Sequence, residues 1–358
     1  MPSTFGSRIR VTLFGQSHAP AIGAVIDGLP AGLPVDEAGL AAFMARRATG
    51  GPLATQRKEA DAVEFPAGVV DGRTCGAPVL LMIRSTDARS GDYARLRDLP
   101  RPSHADYAAY LKYRGFNDIR GGGQFSGRLT APLVAAGYLC RQVLAQRGIV
   151  IVSHIARIGG IEDTPLNPLR LDESLIPRLS VPFPVLSEEA GARMQAAIRE
   201  ARAAGDSLGG TVECGIYGLA PGLGGPFFGG LEGTLSQTLF AIPAVKAVEF
   251  GEGTGFAGMR GSEANDPYTV DEAGRISTLS NHCGGILGGI SSGMPILMRA
   301  TFKPTPSIAL AQQTVSLSAK APASLTVGGR HDPCIVPRAA VVVEAAAAIA
   351  LCNIEDAE

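Results

Sequence analysis

Three histidines stand in settings that suit acid–base chemistry. His18 lies in FGQSHAPAIG, where an alternating strand pattern meets a glycine-bounded turn; His104 lies in RPSHAD, and His331 precedes Asp332 in GRHDPC. An unperturbed imidazole titrates near about pH 6.5, so each ring could take up or release a proton at neutral pH. A histidine held by hydrogen bonds in a tight turn gives the same pattern. These residues therefore indicate catalysis only if the fold brings them into one site.

Two glycine-rich stretches could hold an anionic ligand. Residues 118–132, DIRGGGQFSGRLTAP, lead into a predicted helix, where converging backbone N–H groups and the positive helix end favour phosphate. Within residues 281–308, GGILGGISSG permits close approach of a flat ligand, and the KPTPS segment offers donors for a phosphate tail. Neither stretch has the dinucleotide-binding or P-loop pattern. Each could also be a tight turn or glycine-packed strand, but together they supply what flavin mononucleotide (FMN) needs.

The elements that must position these residues can be predicted from periodicity and capping signals. Period-two alternation predicts strands over 9–13 and 21–28, and a third strand is predicted over 149–158. Helices are predicted after the N-cap Asp36, from Ser103 with Asp106 completing a capping box, over 129–148, from Ser187 to about Ala204, and as a buried small-residue helix over 339–352.

An internal similarity predicts a duplicated fold. Residues 23–44 and 210–240 both read as a strand, a glycine- and leucine-containing turn and a helix. Chance similarity is an alternative in a chain with 46 glycines. We expect one α+β domain over 1–358, and we interpret the proline-rich stretch 164–185 as a surface loop rather than a linker.

Composition narrows the class of protein. The chain has 358 residues, with 32 Lys and Arg against 33 Asp and Glu, so the net charge of −1 predicts no nucleic-acid or membrane partner. Six cysteines without a CxxC pair, and no signal peptide, favour free thiols in a cytoplasmic protein without a metal site. The apolar stretch 339–352 contains Glu344 and is too short to cross a bilayer.

Seven motifs, in order along nearly the whole chain, resemble the chorismate synthase family: FGQSHA, RPSHADY, DIRGGGQFSGRLTA, PAVKAVEFGEG with RGSEANDPY, GGILGGISSGMPI, KPTPSI and GRHDPCIVPRA. The resemblance implies a lyase that makes chorismate from 5-enolpyruvylshikimate 3-phosphate by 1,4-anti-elimination of phosphate. It implies reduced FMN without net redox change, a homotetramer, and helices sandwiched between two mainly antiparallel sheets. NADP is also associated with the family, but whether this chain reduces its own flavin stays open.

Site residues follow from the same resemblance. His18 is expected to protonate or hydrogen-bond the leaving phosphate, His104 to protonate or maintain the reduced flavin, and Asp332 to act with flavin N5 in proton removal. The substrate's anionic groups call for bidentate guanidinium donors. Expected substrate-binding residues are Ser17, Arg47, Ser126, Arg128 and Arg338. Expected flavin contacts are Gln124, Phe125, Ser126, Pro243, Ala244, Gly288, Lys303, Pro304, Thr305, Pro306, Ser307 and Arg330.

Alternative readings of these residues stay open at this stage. One of Arg46 and Arg47 is expected only to compensate charge at a helix C-terminus, and Arg330 with Asp332 could be a surface ion pair. Many family members differ from this chain at Gln16, Ala19, Pro52, Ser103, Gln124 and Leu129, including glycine at Ser103 and arginine at Pro52 and Gln124. A non-catalytic FMN- or anion-binding descendant and a flavin oxidoreductase are therefore the alternative functions.

Overall fold

A computed structural model describes residues 3–48, 61–85, 96–328 and 332–354. Its α-helices are α1 (Glu37–Ala45), α2 (Asp106–Lys112), α3 (Thr130–Ala145), α4 (Ile176–Leu179), α5 (Glu188–Ala203), α6 (Leu231–Phe240), α7 (Gly261–Ala264) and α8 (Val336–Leu351). Its strands are β1 (Thr4–Phe5), β2 (Arg10–Phe14), β3 (Ala21–Asp27), β4 (Val63–Ala67), β5 (Val69–Val70), β6 (Arg73–Thr74), β7 (Val79–Arg84), β8 (Val150–Ile158), β9 (Ile161–Glu162), β10 (Gly210–Tyr217), β11 (Val245–Phe250), β12 (Tyr268–Val270), β13 (Ile276–Thr278), β14 (Ile286–Leu287), β15 (Ile290–Ser291), β16 (Ile296–Phe302), β17 (Gln312–Ser316) and β18 (Ala321–Leu325).

Two five-stranded sheets enclose a layer of helices. The first sheet has the order β1-β2-β3-β7-β4 and the second the order β11-β16-β10-β8-β9, and all of their strand pairs are antiparallel. Helix α3 packs on β3 and β7, whereas α8 packs on β8 and β10. The fold is therefore α+β, with helices sandwiched between two antiparallel sheets, as expected.

The predicted duplication appears in the topology. One half runs β2-β3-α1-β4-β7-α3 and the other runs β8-β10-α6-β11-β16-α8, apart from inserted elements, of which the longest is helix α5 between β8 and β10. The strand order within each sheet is also the same, first-second-fourth-third along the chain. The similar segments 23–44 and 210–240 contain most of the second strand and of the helix that follows it in each half. The shared order supports an internal repeat.

The two central helices, α3 and α8, pack directly on each other. Most of α8 is buried, because its Ala- and Val-rich sequence has no bulky polar face to present to water. A Cβ built on Gly137 of α3 would lie 2.4 Å from the Cβ of Ala345, so glycine permits this close approach. One cluster of buried apolar side chains includes residues from both sheets and from these helices. The assignment of the chain to a single domain stays a prediction.

Most local predictions are confirmed. The Asp36 side chain caps α1 by accepting from Gly39 N, and the Ser187 side chain caps α5 by accepting from Ala190 N. The predicted strands correspond to β2, β3 and β8, and the predicted helices over 129–148 and 339–352 correspond to α3 and α8.

The predicted helix start at Ser103 is wrong. Helix α2 begins at Asp106 without a side-chain cap, and Ser103 lies in the left-handed region at φ 56°. The reason is that the Asp106 carboxylate points backward and accepts hydrogen bonds from Arg101 instead of completing a capping box.

Candidate active site

A cavity of about 700 Å³ opens at the N-terminal ends of α3 and α8. Thr130, the first residue of α3, lines it together with Arg338 and Ala339 from the first turn of α8. Ala241, which follows the last residue of α6, lies on another wall. Because the duplication brings the positive ends of two helices to one place, this position favours anionic ligands.

The cavity collects most of the predicted site residues. Those that line it are Ser17, Arg47, His104, Gln124, Phe125, Ser126, Arg128, Pro243, Ala244, Lys303, Thr305, Pro306, Ser307, Asp332 and Arg338. His18, Gly288 and Pro304 are not among its lining residues. Gly288 lies in the exposed turn between β14 and β15, and the Pro304 ring packs near Gly209. Arg330 and His331 lie outside the described residues, as does Pro52.

His18 is separated from the cavity by one glycine. A Cβ built on Gly121, which lines the cavity, would lie 2.5 Å from Ser17 Oγ and 2.9 Å from His18 Nε2. The turn is fixed by a 3.0 Å hydrogen bond from Ser17 N to Gly123 O, and Gly121 has φ 58°. Glycine is thus needed here both for its backbone conformation and for the imidazole behind it.

His104 contributes its imidazole from the loop before α2. Its side chain is 15% exposed, and its Nδ1 lies 2.6 Å from Asp106 Oδ1. A Cβ on Gly122 would come within 3.3 Å of the other ring nitrogen, Nε2. The glycine turn 121–123 therefore lies between the two histidines, with Gly121 facing His18 and Gly122 facing His104.

A buried carboxylate, Asp61, joins two of the predicted substrate arginines. Asp61 forms short ion pairs with Arg47 and Arg128, and all three side chains are at most 5% exposed. Burial alone raises the pKa of Asp61, but the charges and hydrogen bonds of the two arginines outweigh it and lower that pKa. Burial, and then the nearby Arg338, lowers the pKa of Arg47 to about 10, against the opposing effect of Asp61. Arg47 is therefore still charged at neutral pH.

Two further arginines differ in their position: Arg338 lines the cavity, whereas Arg46 does not. Arg338 donates to Asp332 Oδ2 over 2.5 Å, and its Nε donates to the backbone oxygen of Arg47 over 2.9 Å. Asp332 thus pairs with Arg338 on α8. Arg46 instead donates twice to the buried Glu344, at 2.6 and 3.0 Å, and ties α1 to α8. Arg46 is therefore a structural residue, whereas Arg47 faces the cavity.

The remaining walls suit a flat ring with an anionic tail. Phe125, Pro243 and Ala244 present apolar surface, and Ala244 lies at φ 75°, an uncommon conformation for a residue other than glycine. Lys303 reaches the backbone oxygen of Ser103, and burial followed by the charge of Lys246 lowers the Lys303 pKa. Within the described part of the chain, the buried Thr305 Oγ1 has no hydrogen-bond partner.

Sequence reasoning missed Asp61, Arg101 and Asp106 as site residues, and it identified Gly121 only as part of the glycine-rich stretch 118–132. Arg101 and Asp106 flank His104 in RPSHAD, so their position in that motif was an available signal. Asp61 carries no such local signal, because its partners Arg47 and Arg128 are brought to it only by the fold.

Two of the positions at which this chain differs from many family members have local partners. Gln124 donates to the Tyr113 hydroxyl over 2.8 Å, and Leu129 packs against the core.

Among the residues that the structure describes, no helix has the length and apolar character needed to cross a membrane. No group of three or more His, Cys, Asp or Glu side chains in these ranges could hold a metal ion.

Comparisons with known proteins agree with one another. A family model described as chorismate synthase matches residues 9–354. A chorismate synthase of Aeropyrum pernix is 48% identical over 352 residues, covering 98% of this chain and 92% of that protein. One of Korarchaeum cryptofilum is 45% identical over 350 residues, covering 98% of this chain and 96% of that protein. A crystal structure of chorismate synthase is similar with a TM-score of 0.73 at 28% identity, covering 98% of this chain and 92% of that one.

Proposed function

The chain belongs to the chorismate synthase family, and we propose that the cavity at the ends of α3 and α8 is its active site. The reaction is the elimination of phosphate from 5-enolpyruvylshikimate 3-phosphate to give chorismate, a step of the shikimate pathway toward aromatic amino acids. The observation that carries the assignment of the site is the convergence of His104, Asp332 and three arginines on one cavity.

The described residues fit reduced FMN as the cofactor. Phe125, Pro243 and Ala244 would contact the flat ring, and the segment 303–307 would bind the phosphate tail. The Thr305 hydroxyl, which has no hydrogen-bond partner among the described residues, would donate a further hydrogen bond to that phosphate. A volume of about 700 Å³ lies within the usual range for cofactor pockets. When bound, reduced flavin supplies electron density for cleavage of the C–O bond without net oxidation or reduction. Gly288 and Arg330 stay predicted flavin contacts.

The arginines account for binding of the substrate's anionic groups. Arg47, Arg128 and Arg338 line the cavity within one network in which Asp61 and Asp332 are the negative members. Guanidinium groups held in this way present fixed donors to carboxylates and phosphate. Ser17 and Ser126 add hydroxyl groups at the same wall, and Ser17 Oγ has no partner among the described residues.

Two imidazoles and one carboxylate would move the protons. His18 stabilises the departing phosphate by donating a proton or hydrogen bond past Gly121, whose missing side chain leaves that path open. Asp332 accepts the proton lost from the substrate ring, and Arg338 orients it. His104 holds a proton beside the cofactor.

An anaerobic assay tests the proposed site. Wild-type protein with reduced FMN and the enolpyruvyl substrate should release phosphate and form chorismate. His18→Ala and His104→Ala should each lower the rate about 100- to 10,000-fold, as is typical of lost acid–base groups. His282→Ala is the control, because His282 pairs with Glu252 and is not among the cavity-lining residues. Tight FMN binding without phosphate release would instead identify a non-catalytic descendant.

The proposal includes a cytoplasmic homotetramer. Phe227 and Phe228 support assembly, since they are 92% and 104% exposed, and large apolar side chains with so much exposure are typical of contact surfaces. Light scattering should give the mass of four chains. The double variant Phe227→Ser, Phe228→Ser should have a lower mass if these side chains lie in a subunit interface. An unchanged tetramer mass would show that the interface lies elsewhere.

A further inference from the structure

A buried carboxylate fixes the side of His104 that faces away from Gly122. Asp106 Oδ1 lies 2.6 Å from Nδ1 of the ring, and the Asp106 side chain is 7% exposed. We propose that Asp106 is a positioning residue that fixes a proton on Nδ1 of His104 and thereby makes Nε2 the atom that exchanges protons in the cavity. The inference rests on the proposed function, because it takes His104 as an acid–base group.

The contact distances select one tautomer of the neutral ring. An ionised carboxylate can only accept hydrogen bonds, so an oxygen 2.6 Å from Nδ1 requires the proton to be on that nitrogen. Burial raises the pKa of Asp106, but hydrogen bonds from Arg101 and His104 outweigh it and hold the pKa well below its usual range. Asp106 therefore stays ionised at neutral pH.

The guanidinium of Arg101 also comes near the ring but does not compete for the proton. Its Nη2 lies 3.2 Å from His104 Nδ1 and 2.9 Å from Asp106 Oδ1. A guanidinium only donates, so a hydrogen bond from Arg101 to Nδ1 would need that nitrogen to be unprotonated. The contact with the carboxylate needs a protonated Nδ1, and at 2.6 Å against 3.2 Å it is the shorter and charge-assisted one, so we take it as the one that decides the tautomer.

Arg101 in turn prevents the carboxylate from rotating. Its Nε donates to Asp106 Oδ2 over 2.8 Å, and its backbone N donates to the same oxygen over 3.0 Å. Its Nη1 donates to Ser307 Oγ over 3.1 Å. The orientation of His104 is thus connected, through two buried charged groups, to the segment proposed to bind the cofactor phosphate.

A second buried histidine shows what a purely structural pair looks like in this fold. His154 has no exposed side-chain surface, and both of its ring nitrogens lie 3.0 Å from a carboxylate, Asp163 on one side and Glu213 on the other. Among the described residues, His104 has side-chain partners at Nδ1 alone, and its ring is partly exposed in the cavity. This one-sided arrangement is typical of an oriented acid–base histidine.

Nitrogen-15 NMR of histidine-labelled, full-length protein tests the tautomer directly. The His104 signals are assigned by their loss in His104→Asn, and a pH series is recorded. In the neutral ring the wild-type protein should carry its proton on Nδ1, and Asp106→Asn should shift the signals toward a mixture of tautomers. In the phosphate-release assay Asp106→Asn should lower kcat about 10- to 100-fold, as orienting partners of histidine usually do, with a displaced pH profile and little change in KM.

Asp163→Asn is the matched control, since it removes a carboxylate from a buried histidine that is not among the cavity-lining residues. It should lower stability and leave kcat unchanged. Equal kcat values in wild type and Asp106→Asn would overturn the proposal. So would a neutral wild-type ring protonated on Nε2, a result that needs no variant to fold. If wild-type protein releases no phosphate, the proposed function fails, while the wild-type spectrum still decides whether Asp106 fixes the ring.

Discussion

Removal of the Asp61 carboxylate should destabilise the protein strongly. Asp61 is 5% exposed and is paired with Arg47 and Arg128, which are 3% and 4% exposed at their side chains. Loss of one partner from a buried ion pair leaves uncompensated charge and typically costs about 3–5 kcal/mol. Because one side of these arginines faces a cavity that water can enter, we expect Asp61→Ala to lower the free energy of unfolding by about 3 kcal/mol.

The assay is denaturant unfolding followed with and without inorganic phosphate. If the lost carboxylate is the cause, phosphate bound between the two guanidiniums should restore part of the stability, by about 2.7 kcal/mol at 100 times its dissociation constant. Asp27→Ala is the matched control, because the Arg10–Asp27 pair is 59% and 40% exposed and should contribute no more than about 1 kcal/mol. A loss at Asp61 no larger than at Asp27, or equal stabilisation of wild type and variant by phosphate, would refute this reasoning.

Three further changes test other parts of the structure. Gly121→Ala should lower kcat by at least about 100-fold, because the new Cβ would meet Ser17 Oγ at 2.5 Å. Gly233→Ala is the control, because a Cβ there would meet no atom of the described residues within 4 Å; equal rates for the two variants would contradict the expectation. His154→Gln should reduce the loss of stability that wild-type protein shows as the pH rises. Burial lowers the pKa of His154, but Asp163 and Glu213 outweigh burial and raise that pKa above 6.5. The stabilisation by protonated His154 is therefore complete below pH 6.5 and is lost as the pH rises through the pKa of the folded state. Denaturation from about pH 6 to about pH 9 measures this, and parallel curves for wild type and variant would count against it. Ser103→Gly should raise the free energy of unfolding by up to about 1 kcal/mol, because Ser103 has φ 56°, in the left-handed region that glycine adopts without strain. A decrease would show that serine is not strained in this conformation.

The parts of the fold that the sequence predicts correctly depend on local interactions. The caps of α1 and α5 each join residues three positions apart, Asp36 with Gly39 and Ser187 with Ala190, so spacing alone reveals them. Ser103 and Asp106, for which the sequence wrongly predicts a capping box, are also three positions apart. That prediction fails because Asp106 finds a stronger, charged partner on its other side, Arg101, and a pattern of residue types does not rank the two.

In the candidate site, too, local motifs can be read from the sequence, whereas contacts between distant parts of the chain cannot. Motifs identify the residues that a family uses, and the fold brings His104, Asp332 and the arginines to one cavity. Pairings across long stretches of chain, such as Asp61 with Arg128, leave no periodic or spacing signal. Nor does the sequence show that His18 lies behind Gly121 rather than on the cavity wall itself, since that depends on the fold, in which a Cβ built on Gly121 would lie 2.9 Å from His18 Nε2.

The position of α8 in the chain has a consequence for synthesis on the ribosome. This helix fills the centre of both halves, and Asn353, just after it, accepts hydrogen bonds from the backbone of Ser7 and Arg8 at the other end of the described chain. The nascent N-terminal half therefore emerges long before the helix that covers its apolar interior is made. Final packing must wait until α8 has been made, and until then the growing chain exposes apolar surface to which chaperones can bind or other chains can aggregate.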